Sequence, residues 1–302
     1  MLIVIAVLHF NTTTAQPAPH YAQYMYNMQV LNPAFVGSKS DLNATLLSRS
    51  QWVNVEGAPQ TTTFSINTRL NSGFGIGATV ISDQIGLLDN TNTNLDVSYT
   101  IPTSEFGRLA LGVKAGLSFY NNDLASGISV DNEIYPSTSG QFGNFGFGMM
   151  FSNARYYVAL SALDLLETPV FFTDDNIQTT SDLERGNYFF SGGMRFDLSK
   201  FNDVTFIPSV LFKYTPTLPL SLDINANFNF SEVFEAGVSY RHQNSVSAVA
   251  SVVLFDKLRV GYAYENYFSN IAQNLSSHEI ILRIDLKLDR NKRWLYLDCC
   301  NF

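Results

Sequence analysis

Two histidines, His242 and His278, are the first residues to test for proton transfer or metal binding, and neither sits in a catalytic motif. His278 lies in Ser276-Ser277-His278-Glu279, without the paired histidines of an H-E-x-x-H zinc helix, and no G-x-S-x-G nucleophile elbow occurs. A hydrolase built from Ser, His and an acid on separate strands would leave no motif; the plainer reading of His278 is a hydrogen-bonded residue at a strand start. Cys299 and Cys300 are adjacent, a geometry that rarely bridges, and they have no metal-ligand spacing. Gly73-Phe74-Gly75-Ile76-Gly77 and the run from Gly143 to Gly148 resemble phosphate loops only superficially. Their alternate spacing fits small, inward-facing strand positions that leave space beside a plug. The chain is read as non-enzymatic, with no catalytic residue, cofactor or metal assigned.

Charged residues are few and ordered. Arg49, Arg69, Lys114, Arg195, Lys213, Arg241, Arg259 and Arg283 alternate toward one face, with Asp96, Asp197, Asp223, Glu235 and Asp285. Mixed signs imply a mutually neutralising interior network rather than the one-sided ring of a selectivity filter. With 18 Lys and Arg against 26 Asp and Glu, net charge −8, no basic face is available for phosphates, so nucleic acid is not a partner.

The elements that must hold these side chains are strands. Leu95, Val97, Tyr99 and Ile101 alternate with Asp96, Ser98 and Thr100; Leu109 to Phe119, Leu218 to Phe230 and Ile280 to Leu286 repeat the habit. Such segments run about nine to twelve residues, longer than a globular strand and long enough to cross a bilayer when tilted. One face is apolar, the other polar, as for lipid outside and a polar lumen inside. About fourteen are counted, near 41–52, 60–70, 73–81, 92–101, 107–120, 144–152, 155–163, 187–198, 204–215, 218–230, 232–241, 245–255, 257–264 and 276–287. Connections after even-numbered segments are short. Those after odd-numbered ones include 82–91, 121–143, 164–186 and 265–275, the asymmetry of short periplasmic turns and long external loops. Lipid tolerates no bare edge, so the last strand must pair with the first. The expected fold is all-β, a transmembrane antiparallel barrel of the outer membrane, in contact with its lipid.

Met1 to Phe10 is apolar and is followed by Thr13 and Ala15, which suits a signal peptide over 1–15. Residues 16–40 then form an N-terminal periplasmic or plug segment, 41–288 the barrel, and 289–302 a periplasmic tail. Within the segment, Tyr24, Met25, Tyr26, Asn27, Asn32, Pro33, Phe35 and Gly37 are the partner or plug candidates. It is expected to start on the periplasmic side, beneath or within the barrel. Arg49, Gln51 and Trp52 should lie at the outer end of the first strand, with Gly57, Ala58 and Pro59 closing the first external hairpin.

These stretches resemble the PorP/SprF family of outer-membrane proteins of the Bacteroidetes type IX secretion system. The similarity rests on Gln23-Tyr24-Met25-Tyr26-Asn27, Asn32-Pro33-Ala34-Phe35-Val36-Gly37, Arg49-Ser50-Gln51-Trp52 and Gly57-Ala58-Pro59. It continues in Pro208-Ser209-Val210, Lys213-Tyr214, Leu222-Asp223-Ile224-Asn225-Ala226, Gly237-Val238-Ser239-Tyr240-Arg241, Gly261-Tyr262-Ala263-Tyr264 and Ser277-His278-Glu279-Ile280. The resemblance implies a barrel working in protein secretion or surface attachment, including gliding. Its implied partners are a periplasmic ring lipoprotein, or a secreted surface protein with a type B C-terminal sorting domain. Residues 291–302, with Lys292-Arg293-Trp294 and the cysteines, depart from that pattern. A rival reading, from the strand count and plug alone, is a diffusion channel or a transporter of hydrophobic, fatty-acid-like solutes.

Overall fold

Alternation at a period of two becomes a single closed sheet. The structure, a computed structural model, describes residues 20–39, 42–70, 73–104, 107–123, 137–166, 171–173, 176–178, 186–198, 203–216, 218–268 and 275–287. The expected signal peptide, the tail with Cys299 and Cys300, Ser40 and Asp41 lie outside these residues.

The strands are β1 (Leu42–Ser50), β2 (Gln60–Arg69), β3 (Phe74–Ile85), β4 (Leu88–Pro102), β5 (Arg108–Asn122), β6 (Thr138–Ser152) and β7 (Tyr156–Leu163). Then follow β8 (Asn187–Met194, continued by Phe196–Asp197), β9 (Val204–Tyr214), β10 (Ser221–Phe230), β11 (Phe234–Arg241), β12 (Ser245–Leu254), β13 (Leu258–Tyr267) and β14 (Ser276–Leu286). Each pairs antiparallel with the next, and β14 returns to β1 in register from Leu42↔Leu286 to Ser50↔His278. The result is a closed 14-stranded antiparallel barrel.

Fourteen strands put Leu42 and Leu286 at one rim, where all connections are short; we call it the tight-turn end. Positive φ at Ser231 and Glu232, and at Phe255 and Asp256, gives two of these turns the twist that hairpins favour. The opposite rim carries the connections 51–59, 123–137, 164–186 and 268–275 and is the long-loop end. A small separate hairpin, Phe171–Thr173 with Asn176–Gln178, belongs to one of them.

Two changes of expected boundary are the largest. Residues 82–91 are not a loop: β3 and β4 run on through Asp83 and Asn90 to a turn at Gly86-Leu87, with φ +59° at Gly86. Likewise β6 begins at Thr138 rather than at 144. Both extensions are polar or glycine-rich, so the apolar alternation stops while the backbone ladder continues.

Outward positions along the middle of the strands are mostly apolar: Val97 and Val113 stand opposite each other, and Tyr99, Leu111, Phe147 and Met149 are exposed beside them. Inward positions are buried and polar, among them Asn94, Asp96, Ser98, Lys114, Asp223, Asn225 and Ser251. A soluble sheet would invert this arrangement; a sheet with lipid outside requires it.

Candidate functional site inside the barrel

Residues 20–39 lie within the ring of strands. Three short 3-10 turns, Tyr24–Tyr26, Met28–Val30 and Pro33–Phe35, carry the chain through the lumen. Asn32 caps the third by accepting from the Ala34 N–H at 2.9 Å, and Pro33 supplies the fixed φ that starts a helical turn. Gln23, Tyr24, Gln29, Asn32, Ala34 and Val36 are all at most 2% exposed. Tyr21, Ala22, Tyr24, Tyr26, Met28, Val30, Leu31 and Ala34 of the segment form a hydrophobic cluster with Leu47, Met150, Tyr157 and Ile281 of the wall.

Short turns leave many backbone carbonyls unpaired, and the wall supplies the missing donors. Arg283 donates to the Tyr26 carbonyl at 3.0 Å, Lys114 to that of Gln29 at 3.3 Å, and Ser161 to that of Leu31 at 2.6 Å. Arg69 donates to the carbonyls of Gly37 and Ser38, both at 2.7 Å. In return the segment reaches the wall's own backbone. The Gln29 amide donates to Ala78 O at 3.2 Å and Asp96 at 3.0 Å, and the Asn32 amide to Leu160 O at 2.9 Å and Met149 O at 3.3 Å.

Contact this close requires walls without side chains. A Cβ on Gly75 would stand 2.3 Å from Val36 O, one on Gly77 2.6 Å from Gln29 Nε2, and one on Gly112 2.4 Å from Ala34 N. Gly37 itself has φ +66° and would meet the Gly75 Cα at 2.6 Å. Gly75, Gly77, Gly112 and Gly148 are therefore seats for the segment.

Near the long-loop end the wall carries a charge network. Arg49 bridges Glu265 and Glu279, the latter at 3.1 Å, while Arg241 bridges Glu265 and Asp223, both at 2.9 Å. All five side chains are buried. Glu279 also accepts from the backbone N–H groups of Ala22 and Gln23 at 2.9 and 2.8 Å. Among the described residues no cluster of His, Cys, Asp and Glu is arranged to hold a metal ion.

The path of the segment differs from expectation. His20 lies by Lys213, and Ala22 and Gln23 by Glu279, at the level of the long-loop end. The chain then descends past mid-barrel, where Tyr24 meets Asn225, to Gly37 beside Arg69 at the tight-turn end. Its early part therefore occupies the far half of the lumen, because the ligands for its N–H groups stand there.

Of the candidates, Tyr24, Tyr26, Asn27, Asn32 and Pro33 are buried against the wall, and Tyr26 lies under the Arg259 guanidinium at 4.9 Å. Phe35 packs edge-on against Tyr157 at 5.4 Å. Met25 and Phe35 line a cavity of about 80 Å³ shared with Asn43, Asn227, Glu235 and Arg283 toward the tight-turn end. The hairpin residues sit at the long-loop rim. Gln51 N–H donates to Pro59 O at 2.9 Å, the Trp52 ring meets Tyr267 edge-on at 6.3 Å, and Gly57 O accepts from the Gly86 N–H at 2.9 Å. Ala58 N–H turns back onto Val55 O at 3.3 Å. His278 is on the outer wall, hydrogen-bonded to the Tyr262 hydroxyl at 2.6 Å.

Gln29, Glu265 and Glu279 escape a reading of the sequence. Glu265 shares the parity of Arg259 and would have emerged had β13 been extended past 264; Glu279 shares the parity of Arg283. Gln29 carries no such signal, since the turns have no period.

No curated protein sequence matches the chain. Among solved structures, the CymD monoaromatic hydrocarbon channel is 12% identical over 88% of this chain and 92% of its own, with a TM-score of 0.53. A TodX deltaS2S3 mutant monoaromatic hydrocarbon channel is 9% identical over 87% and 94%, with a TM-score of 0.53. The Ralstonia pickettii toluene transporter TbuX is 8% identical over 86% and 93%, at 0.50. Such identities convey the barrel fold alone. The type IX secretion system membrane protein PorP/SprF family model matches residues 13–284, which include the lumenal segment and nearly all of the strands. The chain belongs to the PorP/SprF family of type IX secretion system membrane proteins.

Proposed function

We propose that this barrel is a non-enzymatic outer-membrane component of the type IX secretion system, acting in the secretion or surface attachment of proteins with C-terminal sorting domains. Its partners are proteins: the periplasmic ring lipoprotein of the apparatus, or a secreted surface protein with a type B sorting domain. The observation that carries this reading, beside family membership, is the lumenal segment seated on wall glycines that leave no room for a side chain. In this reading residues 20–39 are a plug, and the protein works through its rims rather than through its bore. Deleting the gene should abolish export or display of sorting-domain proteins; an unchanged secretome would refute the proposal.

The rival is a channel for hydrophobic solutes, favoured by likeness to hydrocarbon channels of the same fold. A filled lumen weighs against it. The purified barrel should be silent in planar bilayers, and steady single-channel steps would reverse the order of the two readings.

A further inference from the structure

A sheet closed into a barrel is convex on its outer side, yet one stretch of this wall is hollow. A groove of about 780 Å³ crosses the outward face of β3 to β9. It follows a single cross-strand row, from Phe74 through Leu111 and Leu160 to Phe212. Among the described residues its lining is apolar apart from Tyr and Ser hydroxyls, and no charged side chain enters it. Six interstrand steps of about 4.8 Å make it about 29 Å long.

The hollow has a cause inside the lumen. Its floor includes Ser98, Gly112, Gly148 and Ser161, and the inner sides of these same residues touch the lumenal segment. Ser98 donates to Val36 O and Ser161 to Leu31 O, while Gly112 and Gly148 lie too close to Ala34 and Asn32 to admit a Cβ. Strand positions without side chains let the sheet close onto residues 31–36. What the lumen loses in width there, the outer face gains in depth.

A hollow on the lipid face cannot stand empty, because its lining would forfeit the dispersion contacts that a packed neighbour supplies. A strand tilt of about 40° turns the groove's length into a rise of about 19 Å, little more than one leaflet of a core about 30 Å thick. That rise matches a lipid chain rather than an element that spans the membrane. The Phe74 end of the row adjoins the tight-turn rim, where Arg108 opens β5 and the exposed Arg155 sits in the β6–β7 turn. Guanidinium groups are suited to phosphate. At the other end, Lys213 beside Tyr214 is buried in the lumen. In the usual orientation of such barrels the tight turns face the periplasm, so the phosphate belongs to the inner leaflet.

We infer that the groove is a phospholipid site, taking one acyl chain across β3 to β9 with the lipid's phosphate at the tight-turn rim by Arg155 and Arg108. The inference goes beyond the secretion role and does not rest on it; it needs only the barrel in its membrane.

The test uses the full chain, purified in dodecyl maltoside and mixed with dioleoyl phosphatidylglycerol. Native mass spectra should show one lipid per barrel retained after detergent washing has removed the rest. Each methylene kept out of the groove costs about fourfold in affinity, so Leu111→Trp, which fills its middle, should cut retention at least about tenfold. Leu160→Trp, at a separate point of the floor, should do the same. Val238→Trp makes an equivalent change on β11, outside the groove, and should leave retention within about twofold. All three alter lipid-facing side chains, so the heat-modifiable folded band should persist. Arg155→Gln should lower retention about threefold. Methyl oleate, a chain without a phosphate, should bind at least about tenfold more weakly than the phospholipid. No retained lipid, equal retention in the groove variants and Val238→Trp, no effect of Arg155→Gln, methyl oleate held as tightly as the phospholipid, or lipid-free particles of two barrels would each overturn the inference.

Discussion

Asn32 lies so close over Gly148 that a Cβ on the glycine would stand 2.0 Å from its side-chain oxygen. The same oxygen caps the Pro33–Phe35 turn, and the amide beside it is bonded to the carbonyls of Met149 and Leu160. Wall and segment are thus one packed unit at this point.

Gly148→Ala and Gly112→Ala should each destabilise the folded barrel by about 1–3 kcal/mol through overpacking. Gly143→Ala, whose nearest contact would be Leu166 Cδ1 at 3.4 Å, should stay within about 0.5 kcal/mol of wild type. Denaturant unfolding in micelles, followed by tyrosine fluorescence and gel mobility, measures all three. Equal effects at Gly143 and Gly148 would refute the seating argument.

Asn32→Ala removes a cap and two donors to strand carbonyls, a loss of about 2–3 kcal/mol. The strands keep their own ladders, so the heat-modifiable band should survive while limited proteolysis within residues 20–39 accelerates. If that band vanished, the segment would be required for the strands to close at all. In the proposed role, the same variant should weaken partner recovery more than barrel yield.

Arg49 stands directly across the β1–β14 seam from Glu279 and also holds Glu265. Arg49→Met leaves a buried, uncompensated carboxylate at Glu279 and should cost about 3–5 kcal/mol. Pairing it with Glu279→Gln removes that charge while keeping an acceptor for Ala22 and Gln23, so the double variant should unfold later than Arg49→Met alone. An earlier midpoint for the double variant would rule out charge burial as the cause.

Val97 faces outward opposite Val113, near the middle of β4 and β5. Val97→Arg should destabilise by about 2–4 kcal/mol in lipid, the penalty for a cation near a bilayer's centre. Measured in vesicles against Phe255→Arg, at an exposed tight turn, the difference should exceed about 1 kcal/mol. Equal values would contradict the assigned lipid face.

These contrasts also explain what could be read from residues alone. Leu95, Val97, Tyr99 and Ile101 report a strand because lipid on one side and a polar lumen on the other impose opposite chemistries at neighbouring positions. The fourteen strands, their order and the β1–β14 closure follow from that rule and from the ban on bare edges in lipid. The rule lapses at the rim, where both faces are wet. There Asp89 and Asn90 in β4, and Ser139, Gly140 and Gln141 in β6, are strand only because a neighbour pairs with them. The lumenal segment was visible as a break in alternation at Asn32-Pro33 and Gly37. Its path was not, because it is fixed by Glu279, Arg283, Lys114 and Arg69, which lie far from it in sequence and reach it only once the ring has closed.

Glu279 grips two things at once: the arginine of the first strand and the backbone of Ala22 and Gln23. The last strand therefore cannot zip onto the first in its final register without meeting residues already tethered, through β1, to the space being enclosed. The molecule is wrapped around its own leading end, as a cask is hooped around its contents. Emptying it means first releasing Ala22 and Gln23 from a carboxylate that belongs to the seam itself.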